Sequence, residues 1–339
     1  MFHNRIPIFL TWLIIFIVGC DDKGTDPPQL IPGSRDYTWT LYEGNESIYF
    51  NQMVAFSPQD IWAASSLDKH EFLWHWNGSK WSVINCGIDV FGAWSLWGKS
   101  GEDLYIGSTT GSIYYYNGTK AEKISDLKIT GYENLFCQYM ADDGNSNVFL
   151  VGGAYSDKTQ KYKSVIYKFE NNAFDFIETG IEGLIFNSIF YDEPGNLFYI
   201  RGNDEELNYY LFSFNGTDIT LLKKDTRIGI TKIGNGIHFF SHGKLYRPAK
   251  NEVSLELDLS EYNSPGFGVG RNLYDFFTNT FNGGDGRGAG LSHYNGKNFD
   301  LVYPIQGYFL KMFIFEEDLI CVGRYFSNSN TFTLHGQLN

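Results

Sequence analysis

Histidines, cysteines and carboxylates make metal sites, nucleophiles and acid–base pairs, and in this chain they are scattered. The seven histidines are His3, His70, His75, His238, His242, His293 and His335, with no cluster at the spacing that brings imidazoles to one metal. His75 and His293 hold equivalent places just before an Asn-Gly pair, which points to a repeated packing role. Cys86, Cys137 and Cys321 lie far apart, form no Cys-x-x-Cys motif, and each sits in or beside an apolar stretch. Three cannot all pair, so at least one is a free thiol, and all read as small buried hydrophobes. Asp142-Asp143, Asp204-Glu205-Glu206 and Glu316-Glu317-Asp318 fall at strand ends without the EF-hand pattern and read as solvated turns. Residues 283–290 have the glycine content of a phosphate loop but lack a Lys-Ser/Thr pair and a following helix. They read as a loop between strands, with ion binding at Asp285 or Arg287 as the alternative. No metal or cofactor is expected.

The fourth cysteine differs. Ile6 to Val18 is apolar apart from Pro7 and Thr11, follows Arg5, and leads into Ile17-Val18-Gly19-Cys20. The run is too short for a spanning helix and has the length of a signal-peptide core. The motif resembles the bacterial lipoprotein signal, the lipobox. That resemblance implies diacylglycerol on the Cys20 thiol, cleavage before it, acylation of the new amino terminus, and a membrane-attached protein of the cell envelope on the periplasmic or cell-surface side. Residues 1–19 are then the signal peptide. Residues 20–35, polar and Pro/Gly-rich, are the lipidated Cys and a tether. The remaining residues, 36–339, are the folded part.

The chain has 339 residues, a net charge of −13 and 18% aromatics. So acidic a chain has no general attraction for phosphate backbones, so no nucleic-acid partner is expected. Asn45, Asn77, Asn117 and Asn215 begin Asn-x-Ser/Thr sequences, but in three cases an Asn-Gly turn already accounts for the Asn.

The elements that must carry these residues repeat. Asp60-Ile61-Trp62-Ala63-Ala64 is an aromatic strand; Phe72 to Trp76 is a second; Asn77-Gly78 reads as a type I′ turn into a third at Trp81. Comparable turns recur at Asn117, Asn171, Asn215, Asn251 and Asn295, at spacings of 40, 54, 44, 36 and 44 residues. Four short strands per unit, an apolar period of two and no helical window make this an all-β chain, a β-propeller. The expectation is seven four-stranded blades of about 43 residues; misreading of the weak fifth or sixth unit would make six or eight. The last unit lacks a fourth strand. Tyr37 to Tyr42 is available to supply it and close the ring, which removes exposed sheet edges.

Val151-Gly152-Gly153 and the Tyr167-Lys168-Phe169 strand resemble a kelch blade, and the first unit resembles bacterial propeller repeats of the form Asp-Ile-Trp-Ala, then aromatic-His-Trp-Asn-Gly-x-x-Trp. Similarity to galactose-oxidase-like kelch propellers implies a fold and no particular chemistry. Within each unit the second-to-third-strand loops share a face with the loops between units, and their aromatic and charged members are the candidate ligand face: Tyr155, Tyr162, Asp204, Phe281, Asp285, Arg287 and Tyr325. The reading is a monomeric, lipid-anchored binding or scaffolding module for an envelope protein, peptide or glycan. The alternative is a carbohydrate lyase or hydrolase using channel-facing carboxylates, against which the innermost strands supply few acids.

Overall fold

A computed structural model describes residues 33–339 except 45–46, 67, 146, 172, 263–265 and 282–287. The signal, Cys20 and most of the tether lie outside the described residues, as do Asp285 and Arg287.

The described residues form an all-β propeller. After β1 (Tyr37–Glu43), four four-stranded sheets follow in chain order. They are β2 to β5 (Phe50–Ser57, Asp60–Ser65, Leu73–Trp76, Trp81–Val83), β6 to β9 (Ala93–Ser100, Asp103–Ser108, Ser112–Tyr116, Ala121–Asp126), β10 to β13 (Asn134–Asp142, Val148–Ser156, Lys161–Glu170, Ala173–Ile177) and β14 to β17 (Ile185–Asp192, Leu197–Asn203, Tyr209–Phe214, Ile219–Asp225). Next come β18 to β21 (Gly229–Ile233, Gly236–Ser241, Lys244–Pro248, Val253–Asp258), β22 to β25 (Gly268–Asn272, Asp275–Phe281, Gly288–Tyr294, Phe299–Pro304) and β26 to β28 (Gly307–Ile314, Asp318–Tyr325, Thr331–Leu338). β1 pairs antiparallel with β28 from Tyr37↔Leu338 to Glu43↔Phe332, so the first strand completes the last sheet.

The blade count is corrected. Seven separate four-stranded blades were expected, and six or eight were the alternatives; five are found. The other eight strands form one continuous sheet, β21-β20-β19-β18-β22-β23-β24-β25. Its two halves join where Lys232 and Ile233 of β18 pair in parallel with Val269 and Gly270 of β22. Glycine makes the joint feasible. Gly229 packs so close to Gly266 that a Cβ would stand 1.7 Å from its carbonyl oxygen, and Gly234 N–H donates to Gly270 O at 2.7 Å.

The core lies between sheets. Trp62 and Leu73 pack with Leu96, Leu104 and Ile106 of the next blade, while Trp74 and Trp76 face Ile320 and Val322 of the closing sheet. Burying each large apolar side chain contributes roughly 1.5–3 kcal/mol, so the aromatic strands supply interblade cohesion.

Asn-Gly hairpins also differ from expectation. Trp76 pairs with Trp81 across a four-residue loop in which Gly78 has φ 91° and Asn77 is not left-handed. Asn77 Oδ1 instead accepts from the N–H groups of Ser79 and Lys80, each at 3.1 Å. The same side-chain cap forms at Asn117, Asn215 and Asn295. Asn here closes the turn with its side chain and leaves positive φ to glycine.

The Asp that opens many second strands has a defined task. His75 Nε2 lies 2.9 Å from Asp60 Oδ1, His293 Nε2 2.8 Å from Asp275 Oδ1, and His335 Nε2 2.5 Å from Asp318 Oδ1. In each blade the His stands opposite the residue two places after the Asp: Trp62, Phe277 and Ile320. The imidazole thus reaches back along the strand and ties the hairpin end. The packing role expected for His75 and His293 holds, and His335 joins them.

Candidate functional site: the central channel

The innermost strands enclose a channel of about 1090 Å³. Their sequences share a device that alternation alone would not produce. Apolar anchors stand three apart, with two residues between: Phe50 and Met53, Ala93 and Leu96, Cys137 and Met140, Phe186 and Ile189, Phe309 and Met312, all buried. Each gap coincides with a register shift, between Phe50 and Gln52, Ala93 and Ser95, Cys137 and Tyr139, Phe186 and Ser188, and Phe309 and Lys311. The extra residue is a β-bulge, which re-aims side chains. The bulged residues Asn51, Trp94, Gln138, Asn187 and Leu310 all line the channel. This ring was missed in the sequence reading. The two-residue gap between buried anchors was the available signal.

Around the ring the wall is polar and knitted. Gln52 Nε2 donates to Met140 O at 3.1 Å and its Oε1 accepts from Leu96 N–H at 3.0 Å, joining β2, β6 and β10. Asn187 Oδ1 accepts from Arg201 Nε at 2.9 Å, and Arg201 Nη1 donates to Ile228 O at 3.2 Å. Burial pushes the Arg201 guanidinium below its ordinary pKa. Lys311 Nζ donates to Tyr139 Oη at 2.9 Å and lies over the Tyr139 and Phe190 rings at 5.5 and 5.6 Å.

Carboxylates gather at one mouth, at the ends of the inner strands and in the turns after them: Asp142, Asp143 and Glu193. Two of these serve their own turns. Asp142 accepts from Trp97 Nε1 and from Gly144 N–H, and Asp143 from the N–H groups of Asn145 and Asn147. Among the described residues no group of three or more His, Cys, Asp or Glu is placed to hold a metal. Cys86, Cys137 and Cys321 are buried and free, and burial raises all three thiols, Cys86 to about 12.

The loop residues singled out from sequence that are described are largely engaged with their own neighbours. Tyr155 and Tyr162 face each other at the end of the β11–β12 hairpin with ring centres 4.8 Å apart, and Tyr155 Oη donates to Gln160 Oε1 at 2.6 Å. Asp204 is spent on its own loop, accepting from Asn208 N–H at 2.9 Å and Tyr210 Oη at 2.9 Å. Burial alone would raise its carboxyl, but the hydrogen bonds from Asn208 and Tyr210 hold it below the ordinary value. Tyr325 Oη donates to Glu43 Oε1 at 3.1 Å and its ring packs on Phe332, so it fastens the closing strand. Burial, with Glu43 beside it, pushes its phenol up to about 12. Phe281 ends β23, while Asp285, Arg287 and Cys20 lie outside the described residues.

No protein-family model matches this chain, and no curated protein sequence does. Solved structures match in fold. A structure of YCF48 bound to D1 peptide is 14% identical and covers 93% of this chain and 99% of its own, at a TM-score of 0.61. YCF48 from Cyanidioschyzon merolae is 11% identical over 88% of this chain and 98% of its own, at 0.58. The WD40 repeats of RRP9 are 11% identical over 91% and 99%, at 0.57. At these identities the likeness is one of fold, the β-propeller.

Proposed function

We propose that this chain is a binding module: a propeller held at a bacterial cell envelope by lipid on Cys20, engaging a protein or peptide partner at its central channel. The ring of bulged residues carries this reading. Five blades each spend a ladder irregularity at the same depth, and what they gain is a side chain turned into the channel. A similar fold binding a peptide, in YCF48, supports a peptide-sized occupant. The lipobox residues support the anchor. Engagement of two of the three mouth carboxylates by their own turns speaks against a paired-carboxylate hydrolase.

The test uses the lipidated full chain in detergent as bait for envelope extract, beside a polysaccharide turnover screen. A captured protein or peptide that Trp94→Ala releases supports the reading. Turnover of a polysaccharide that Glu193→Gln abolishes would replace it with the carbohydrate-active alternative.

A further inference from the structure

Several cations outside the channel are matched with carboxylates: Arg247 with Asp192 at 2.9 Å, Arg271 with Asp275 at 3.1 Å, Lys163 with Glu178 at 2.6 Å. Three cations lining the channel are treated differently. Lys311 has the Tyr139 hydroxyl and two ring faces. Arg201 has the Asn187 amide, the Ile228 carbonyl and the Tyr209 ring at 5.5 Å. The Lys232 side chain is exposed and has no hydrogen bond or ion pair among the described residues. None of the three has a carboxylate partner, in a chain whose net charge is −13. Half-buried cations held by neutral groups pay a desolvation cost that an incoming anion would offset.

Two of the cations, Lys311 and Arg201, form a connected patch. Tyr139, which holds Lys311, packs its ring 5.3 Å from Phe190 of β14, and Asn187 of the same strand holds Arg201. Acids occupy the mouth formed by the turns after the inner strands. The other mouth, at the bulges, presents uncharged Asn51, Trp94 and Asn187. Among the described residues lining the channel, the carboxylates are Asp142, Asp143 and Glu193, all at the opposite mouth.

We propose that the channel takes a carboxylate-bearing peptide, an acidic side chain or a free C-terminus, with Lys311, Arg201 and Lys232 as its anchors. This rests on the peptide-binding reading. A guanidinium fork and two ammonium groups suit carboxylate oxygens, and the amides beside them suit a peptide backbone.

The experiment selects binders for the full chain in detergent from a displayed library of random peptides, with an acidic oligosaccharide as a parallel probe. Enrichment of Asp, Glu or a free C-terminal carboxylate is expected. Lys311→Met should weaken the selected peptides about tenfold, Lys311→Arg should restore them, and Lys232→Gln, at an exposed position that leaves folding intact, should weaken them too. Added salt should weaken binding further. Binders without acidic enrichment, or indifferent to both substitutions, overturn this inference and leave the peptide-binding reading standing. No peptide binders at all overturn both. Oligosaccharide binding that depends on Lys311, without peptide binding, overturns the choice of peptide.

Discussion

Lys311 Nζ and Tyr139 Oη meet at 2.9 Å from opposite sides of the ring. β26 and β10 are separated by β2 and β6 in one direction and by β14, β18 and β22 in the other, so the bond crosses the channel. Each partner directly follows a bulged residue, Leu310 and Gln138. The lysine is therefore kept inside a protein wall by a neutral acceptor and two ring faces rather than by a counter-ion.

Tyr139→Phe removes that acceptor and should lower stability by about 0.5–1.5 kcal/mol in urea denaturation. Lys311→Met removes the charge itself and should be neutral or slightly stabilising, because the desolvation cost goes with it. A Lys311→Met protein several kcal/mol less stable than the parent would show that the lysine is a structural strut.

Ring closure by β1 should be indispensable. Deleting residues 36–43 leaves the edge of β28 unpaired, and the product should lose cooperative melting and self-associate. A milder version is Gly336→Ala. A Cβ there would stand 2.4 Å from the Trp39 ring, and overpacking of this kind costs about 1–3 kcal/mol. Calorimetric traces of both variants matching the parent would contradict the closure.

Asp275 should make the fold acid-sensitive. Burial alone would raise its carboxyl, but the His293 hydrogen bond and the Arg271 charge outweigh burial and hold it below the ordinary carboxylate range. A depressed folded pKa favours the charged form in the native state. Its contribution is complete above the unfolded value near about pH 4 and is lost as pH falls through the lower folded value. Asp275→Asn should cost about 3 kcal/mol at neutral pH, since buried His293 and Arg271 lose their acceptor. It should also flatten the decline of urea midpoint below pH 4. An unchanged acid profile would remove Asp275 from this role.

The anchor is tested by Cys20→Ala. The parent should fractionate with membranes and incorporate labelled fatty acid; the variant should do neither. Membrane retention of an unlabelled Cys20→Ala protein would contradict lipidation.

Much of the architecture was legible because it depends on local chemistry. Asn77-Gly78 and its equivalents marked the hairpins, and the unpaired last unit with Tyr37 to Tyr42 in reserve marked the closure. Fusion of β18 with β22 was not legible, because it depends on how closely Gly229 and Gly234 let two backbones approach, which no pattern of apolar residues encodes. Among the loop positions, several polar atoms are already engaged within the fold. Asp204 and Tyr325 look free in sequence, yet their polar atoms are taken by Tyr210, Asn208 and Glu43. The channel ring was written in the chain as a two-residue gap between buried anchors, a break in alternation that becomes visible only once strand pairing shows which residue is extra.

The most direct test of channel binding places a photo-crosslinking benzophenone amino acid at Trp94, a bulged position on the channel wall, and separately at Leu221, 53% exposed on the outer strand β17. After irradiation of the full chain in envelope membranes, adducts with a protein or peptide should form from position 94 and not from position 221. Adducts from position 221 with none from position 94 would contradict the account.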